Sequence, residues 1–407
     1  MLKKIRLDQL KVGMYVYDFN CSWMDHPFLS NRMVVSSQER IDKIAMVGIR
    51  ELYIDTAKGL DVDDAPTMEE TMAAIEEELL DIAEHGAVPV AHIPVAEEMA
   101  RAAKIKDRAH HLVREAMRDV RLGRAVQMEE VEPVVQDITA SILRSPGALT
   151  SLLRIKTKND YTFLHSVTVC ALMVAFCRAD GLDAETIHQA GLGGLLHDIG
   201  KALVPDAILN KPGRLTEKEF DIIRRHPQDG HDILLKSGNF GPIPLDITLH
   251  HHERVDGSGY PKQLPGEHIS TITQMAALMD VYDAITSDRC YHKAIPPAQA
   301  LRRLYDWSKT EFDPQVVQAF IRCIGIYPIG SLVLLQSGRL AVVTEEHERN
   351  LLAPKVRAFF STKSNTYIPP EDIDLSKPLG RGGGDRIVSH ESPEKWRVDP
   401  MKFFSLA

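Results

Sequence analysis

The chain has little that would carry it out of a cell or into a bilayer. Its five cysteines (Cys21, Cys170, Cys177, Cys290 and Cys323) are scattered, with no CxxC pair. They therefore offer no disulfide framework and fit a reducing compartment, so a cytoplasmic location is expected. Cys170 and Cys177 lie in an apolar helical run and read as small core residues. No run of eighteen apolar residues occurs, which argues against a membrane span. Met1-Leu2-Lys3-Lys4-Ile5-Arg6 is basic but is followed by no apolar signal core, so no secretory leader is expected. An excess of cationic charge is missing too. The net charge of −9 argues against binding a nucleic-acid polymer. Most of that charge is local, because residues 61–85 hold ten acids and not one Lys or Arg. The remainder is near neutral, and an anionic small-molecule substrate fits wherever basic groups gather.

What is present is enough for two or three domains, since the chain has 407 residues, 44% of them hydrophobic. Residues 1–90 read as a small α+β module with an acidic linker. Strand-like runs occur at Met14–Tyr17, Met33–Val35 and Glu51–Ile54, and a short helix at Ser37–Val47 with Ser36 and Glu39 as a capping box. His26 and Cys21 are too few for a metal site and read as loop residues. Residues 91–140 form a helical connector. One helix runs from about 95 to Arg121 and stops at Gly123; a second covers Met128–Leu143, with Pro133 favouring a later start. His110 and His111 read as surface histidines. Residues 141–329 are a helical core, in which Tyr161–Cys177 is apolar on both faces and so belongs inside a bundle. Further helices follow at 184–199, Thr216–Arg225, Leu245–His252, Ser270–Ser287, 297–309 and 314–324. Residues 330–407 turn to strands at Leu332–Leu335, Leu340–Val343 and Val356–Phe360. Arg381-Gly382-Gly383-Gly384-Asp385 has no strand–helix context and reads as a loop, not a phosphate cradle.

The chemistry gathers around Leu195-Leu196-His197-Asp198-Ile199-Gly200-Lys201. A histidine and an aspartate at the end of an apolar run are costly to bury unless something satisfies both. A lone His-Asp pair is more often a capped helix end beside a core histidine. Here His165 precedes it, and His226, His251, His252 and Asp280 follow. Seven candidate ligands exceed what one ion needs, so the set points to two ions sharing one ligand, with Asp198 as the bridge. Nitrogen and oxygen donors without thiolate suit iron, manganese, zinc, cobalt or nickel better than magnesium or calcium. A pair of such ions suits metal-assisted phosphoester hydrolysis. Lys201, a turn beyond, is placed to hold a phosphate oxygen or protonate the leaving oxygen. The plainer reading is a helix C-terminal cation.

These blocks closely resemble the HD-GYP family of bacterial cyclic di-GMP phosphodiesterases. The resemblance runs over roughly 140–330: His197-Asp198-Ile199-Gly200-Lys201, Ile208–Pro212, His226-Pro227, His251-His252-Glu253-Arg254 with Asp256–Pro261, Asp280…Asp283-Ala284 with Thr286–Arg289, and Phe312-Asp313-Pro314. Gly13–Val16 and Trp23…His26-Pro27-Phe28 are similar to an uncharacterised domain that often precedes that family. The resemblance implies a mainly α fold: a helical HD-type phosphohydrolase core, with the small α+β module before it and a short β-rich segment after it. It implies hydrolysis of cyclic di-GMP to linear pGpG, and onward to GMP in some members, with two divalent transition-metal ions, iron or manganese preferred. His197, Asp198 and Lys201 would be catalytic; His165, His197, Asp198, His226, His251, His252 and Asp280 would hold the metals. Lys201, Arg289, Tyr260 and Lys293 would meet the substrate, and a guanidinium fork at Arg289 suits phosphate or guanine alike. For Tyr260, loop packing is an equal alternative. By the same resemblance, the Gly257–Pro261 loop would contact diguanylate cyclase (GGDEF) partners. A homodimer stays open. Two departures matter. Relatives with a third metal carry a carboxylate where Tyr161 stands, so two metals are expected; and Cys290 and His292 replace a proline and a stronger base. A binding effector with little turnover, or a hydrolase of another cyclic dinucleotide, are the rival readings.

Overall fold

β-Branched and aromatic runs near the start pair into a four-stranded antiparallel sheet, as such residues favour a half-buried pleat. The computed structural model describes residues 1–21, 28, 32–84, 93, 95–153, 161–211, 213, 215–287, 294–308, 310–345, 347, 350–377 and 384–404. The sheet contains β1 (Leu2–Arg6), β2 (Tyr15–Asp18), β3 (Met33–Val34) and β4 (Glu51–Asp55), in the order β1-β4-β2-β3. Leu2 faces Asp55 and Arg6 faces Glu51 across the β1–β4 pair. α1 (Gln38–Met46) buries Ile41 and Ile44 with Ile5, Val16, Leu52 and Ile54. The capping box expected at Ser36 and Glu39 does not form: Ser37 is the N-cap, and the Ser36 hydroxyl accepts from Arg40 instead. A reciprocal box closes at Thr67 and Glu70, which opens α2 (Met68–Glu84). The acidic linker is thus largely a helix. Ile75, Leu79 and Ala83 recur every fourth residue and are buried, while the acids take the outer face.

The bundle follows: α3 (Val95–Arg121), α4 (Met128–Arg144), α5 (Pro146–Leu153), α6 (Tyr161–Ala179) and α7 (Ala184–Leu196). Pro133 sits inside α4, whose start is not delayed; proline removes one hydrogen bond near the first turn without ending the helix. Every residue from Val167 to Cys177 of α6 is buried, as its two apolar faces require. After α7 the chain makes a 3-10 turn, Ile199–Leu203, then α8 (Asp206–Leu209) and α9 (Glu217–Ile223). α10 (His226–Ser237) opens at His226-Pro227, because proline is well placed in a first turn. A Cβ on Gly200 would fall 2.0 Å from the His226 carbonyl oxygen, so only glycine lets the turn close against α10. α11 (Pro242–His250), α12 (Thr271–Thr286), α13 (Pro297–Trp307) and α14 (Pro314–Ile324) complete the bundle. No helix among the described residues is long and apolar enough to cross a membrane.

The tail forms a second antiparallel sheet in the order β8-β7-β6-β5-β9, from β5 (Leu332–Leu335), β6 (Arg339–Glu345), β7 (Lys355–Ser361), β8 (Thr366–Asp374) and β9 (Ile387–His390). β8 escapes sequence reading because Pro369-Pro370 and its acids hide the pattern; it lies at an edge, where proline is tolerated. Residues 381–383 of the glycine run lie outside the described residues, as does His26.

The N-terminal module is locked to α13. The Lys4 ammonium sits 2.6 Å from both Asp306 and Glu51, and the Tyr53 hydroxyl donates to Asp306 at 3.3 Å. Burial opposes the Lys4 charge, but Asp306 and Glu51 more than offset it and raise its pKa. Asp306→Ala should leave Lys4 buried with only the half-exposed Glu51. We expect a loss of about 2–3 kcal/mol, read from the urea midpoint at constant slope.

Candidate metal centre

Five elements deliver the seven side chains. His165 comes from α6, His197 and Asp198 from the end of α7, His226 from the first residue of α10, His251 and His252 from just beyond α11, and Asp280 from α12. None of the seven is more than 1% exposed. The two oxygens of Asp198 face different groups. Oδ1 lies 3.2 Å from His226 Nε2 and 3.8 Å from His251 Nε2. Oδ2 lies 3.4 Å from His197 Nε2 and 3.6 Å from His165 Nε2. Asp280 spans the other side, with Oδ1 3.0 Å from His165 Nε2 and Oδ2 3.7 Å from His252 Nδ1. Three triads of donor atoms result among the described residues, His165–His197–Asp280, His226–His251–His252 and, joining the two, His197–Asp198–His251, the atoms of each within 4.8 Å of one another.

Most of the rings are aimed from behind. His197 Nδ1 meets the Gly194 carbonyl at 2.8 Å, His226 Nδ1 the Ile223 carbonyl at 2.7 Å, and His251 Nδ1 the Ile247 and Thr248 carbonyls at 3.1 Å. A carbonyl only accepts, so Nδ1 carries the proton and the Nε2 lone pair points inward. Two such lone pairs, on His226 and His251, face each other at 3.2 Å. A positive charge between them, a proton or a metal ion, makes that favourable. His197 Nε2, both ring nitrogens of His252 and Asp280 Oδ2 are buried without a hydrogen bond among the described residues. Nitrogen and carboxylate donors left over inside a protein are what a divalent ion takes up, and the donor set fits one.

Protonation agrees. Burial, then the neighbouring imidazoles, push His251 and His252 well below the usual histidine range; burial and Lys201 lower His226. Burial disfavours the cationic form of His197 as well, but Asp198 and Asp280 outweigh it and raise that pKa. Burial would raise both aspartates; Lys201 and His197 hold Asp198 well below its ordinary value, and His165 and His252 do so for Asp280. Ionised carboxylates and largely neutral imidazoles are the forms that bind metal.

Lys201 reaches Asp198 Oδ2 at 2.6 Å, so it belongs to this cluster and is more than a helix-end cation. Tyr260 is 7% exposed, its ring stacked on His252. Arg289 and Lys293 lie outside the described residues, as do Cys290 and His292. His110 is half-buried and packs edge-on to Phe163, so it is not the surface histidine expected, whereas His111 is exposed.

Two supporting residues carried no assigned role in the sequence. Asp283 Oδ2 takes His165 Nδ1 at 2.6 Å, and the signal was a second carboxylate three residues after Asp280 on an apolar helix. The buried Glu253 carboxylate accepts from the Lys262 and Leu264 amides at 2.6 and 3.0 Å, which ties down the loop after His252. Asp283→Ala should weaken manganese(II) binding about 10- to 100-fold in a titration of the metal-free protein, the usual effect of removing a histidine's supporting carboxylate.

Residues 2–131 match the family described as Domain of unknown function (DUF3391), and residues 134–316 match the HD domain. The chain is 45% identical over 397 residues to a cyclic di-GMP phosphodiesterase of Pseudomonas aeruginosa, covering 97% of this chain and 94% of the relative. It is 35% identical over 170 residues to a 3'3'-cGAMP-specific phosphodiesterase of Vibrio cholerae, covering 41% and 39%. A solved HDG"Y"P protein of Bdellovibrio bacteriovorus aligns with a TM-score of 0.47 at 19% identity, over 79% of this chain and 98% of that one.

Proposed function

Since the chain belongs to the HD-GYP family of cyclic di-GMP phosphodiesterases, we propose that it hydrolyses cyclic di-GMP to linear pGpG at two divalent ions, iron or manganese, with GMP as a slower second product. His165, His197 and Asp280 would hold one ion, and His226, His251 and His252 the other. The observation that carries this reading is Asp198, whose two oxygens turn toward separate imidazole groups. The chemistry such ions supply is Lewis acidity, toward water and toward the phosphate oxygens. The chain's own residues do the rest. Asp198 sets the spacing, and burial excludes bulk water, which strengthens every charge interaction inside. Lys201, held on Asp198 at 2.6 Å, is placed to hold a non-bridging phosphate oxygen or give a proton to the leaving one. Arg289 and Lys293 are proposed to meet the dinucleotide from the loop after α12.

The free cysteines Cys21, Cys170, Cys177 and Cys323 fit the cytoplasm, which we propose as the compartment. A GGDEF partner at the Gly257–Pro261 loop would have to share it with the N-terminal module, because Arg50 reaches Asp256 at 3.4 Å. The test is turnover by the full chain, loaded anaerobically with iron(II) or manganese(II), with products separated by chromatography. Linear pGpG is expected. Saturable binding without hydrolysis would make the protein an effector. Faster loss of 3'3'-cGAMP in direct competition would change the substrate.

A further inference from the structure

His252 is the exception among the five imidazoles. The other four each have a ring nitrogen fixed from behind, by a backbone carbonyl or by Asp283. Neither nitrogen of His252 has a hydrogen bond among the described residues, and Asp280 Oδ2 stands off at 3.7 Å. Apart from the neighbouring candidate ligands His251 and His226, whose ring centroids lie 4.2 and 5.0 Å away at steep angles, what lies against the ring is Tyr260, stacked with centroids 4.7 Å apart and planes at 26°. The far face of Tyr260 is covered by the Arg224 guanidinium, 4.7 Å from the ring centre. Three flat groups thus form a column that ends on a candidate ligand. We propose that Tyr260 is a positioning residue for His252, its ring setting the imidazole plane where the other histidines use a hydrogen bond. This rests on the two-metal reading of the site.

The column is anchored at several points. The Tyr260 amide donates to the His252 carbonyl at 3.1 Å, and Glu253 grips the chain just beyond. The outer edge of the loop is held by the N-terminal module. Gly48 packs so closely on Ser258 that a Cβ there would lie 2.3 Å from the serine Cβ, and its φ of +82° suits glycine alone. Arg50 completes the clasp at Asp256. A cavity of about 310 Å³ lies between the module and α9, with Phe19, Arg50, Phe220, Arg224 and Tyr260 in its walls. Through Gly48 and Arg50 the module thus fastens the loop whose Tyr260 lies against one of the candidate ligands.

The experiment compares Tyr260→Phe, which keeps the ring, with Tyr260→Leu, which keeps the bulk but not the flat face. Manganese(II) binding to the metal-free full chain is read by calorimetry, and kcat and KM for cyclic di-GMP by product chromatography. Tyr260→Phe should match the wild type in both. Tyr260→Leu should bind manganese about 10- to 100-fold more weakly at one site, with kcat falling and KM little changed. Arg224→Gln, partly exposed and safer for folding, should move metal affinity the same way by a smaller factor. Unchanged manganese binding in both Tyr260→Leu and Arg224→Gln would overturn the proposal. So would a raised KM in Tyr260→Phe with metal binding intact, which marks a direct substrate contact through the hydroxyl. If the wild type binds manganese but hydrolyses no cyclic di-GMP, the functional reading fails while the calorimetric arm still decides the role of Tyr260.

Discussion

Asp198→Ala is expected to abolish turnover and to strip the protein of most of its metal. Asp198 turns one oxygen toward His226 and His251 and the other toward His165 and His197, so its loss weakens both halves together, whereas loss of a single histidine weakens one. It is also the 2.6 Å partner of Lys201. Without it, the ammonium is released toward a cluster of neutral rings and repels any cation seated there. We expect kcat to fall by more than about 10³-fold, about 4 kcal/mol of lost transition-state stabilisation at 1.36 kcal/mol per decade. Elemental analysis after anaerobic purification should show well under half the wild-type metal. Asp198→Asn keeps the shape and one oxygen but loses the charge. It should retain more metal than the alanine variant and still turn over poorly, which separates charge from occupancy. An alanine variant with full metal and wild-type rate would remove Asp198 from the mechanism.

Much of this centre was legible because its chemistry defies the local pattern. Buried helices tolerate Leu, Val and Cys without comment, but His165 on α6 and Asp280 on α12 demand a reason. The helix bounds were legible for a related cause: apolar periodicity and glycine or proline stops survive tertiary contacts. Less visible were features set by partners distant in the chain. Leu2–Arg6 read only as a basic start, yet it pairs with β4, and Lys4 is buried because Asp306, some three hundred residues on, awaits it. The acidic run concealed Ile75, Leu79 and Ala83, since charge density outweighs an apolar residue every fourth place to the eye but not to the fold. The Ser36 box did not form because the helix starts one residue later, with Ser37 as its N-cap. The orientation of Tyr260 could not be read at all. Stacking on His252 and cover by Arg224 depend on how α9, α11 and the loop after it meet, and no spacing records that.

Removing the metal should cost the protein stability as well as activity. With free ion at 100 to 1,000 times its dissociation constant, each site adds about 3–4 kcal/mol to the folded state. Chelation should then lower the melting midpoint by about 10 °C for each site emptied in a domain of this size, and manganese(II) should restore it. The metal-free protein should also show a particular pH dependence. His251 and His252 have pKa values well below the ordinary 6.5, and His226 is lowered too, whereas only His197 is raised. Below about pH 6.5 the unfolded chain takes up protons that these three buried rings refuse, so folding stability must fall as the solution is acidified. His197 contributes the opposite sign, one ring against three. Asp198 and Asp280 add to the acid sensitivity only lower down, where the unfolded carboxylates begin to protonate. Urea midpoints of the chelated protein at pH 7.5 and 5.5 read the effect, with a lower midpoint at 5.5 expected. The metal-loaded protein should resist the same shift until protons displace the ion, because the bound cation occupies the lone pairs that would otherwise accept them. If chelation moved neither the melting midpoint nor its pH dependence, the converging imidazoles would hold no ion, and their burial would need another cause.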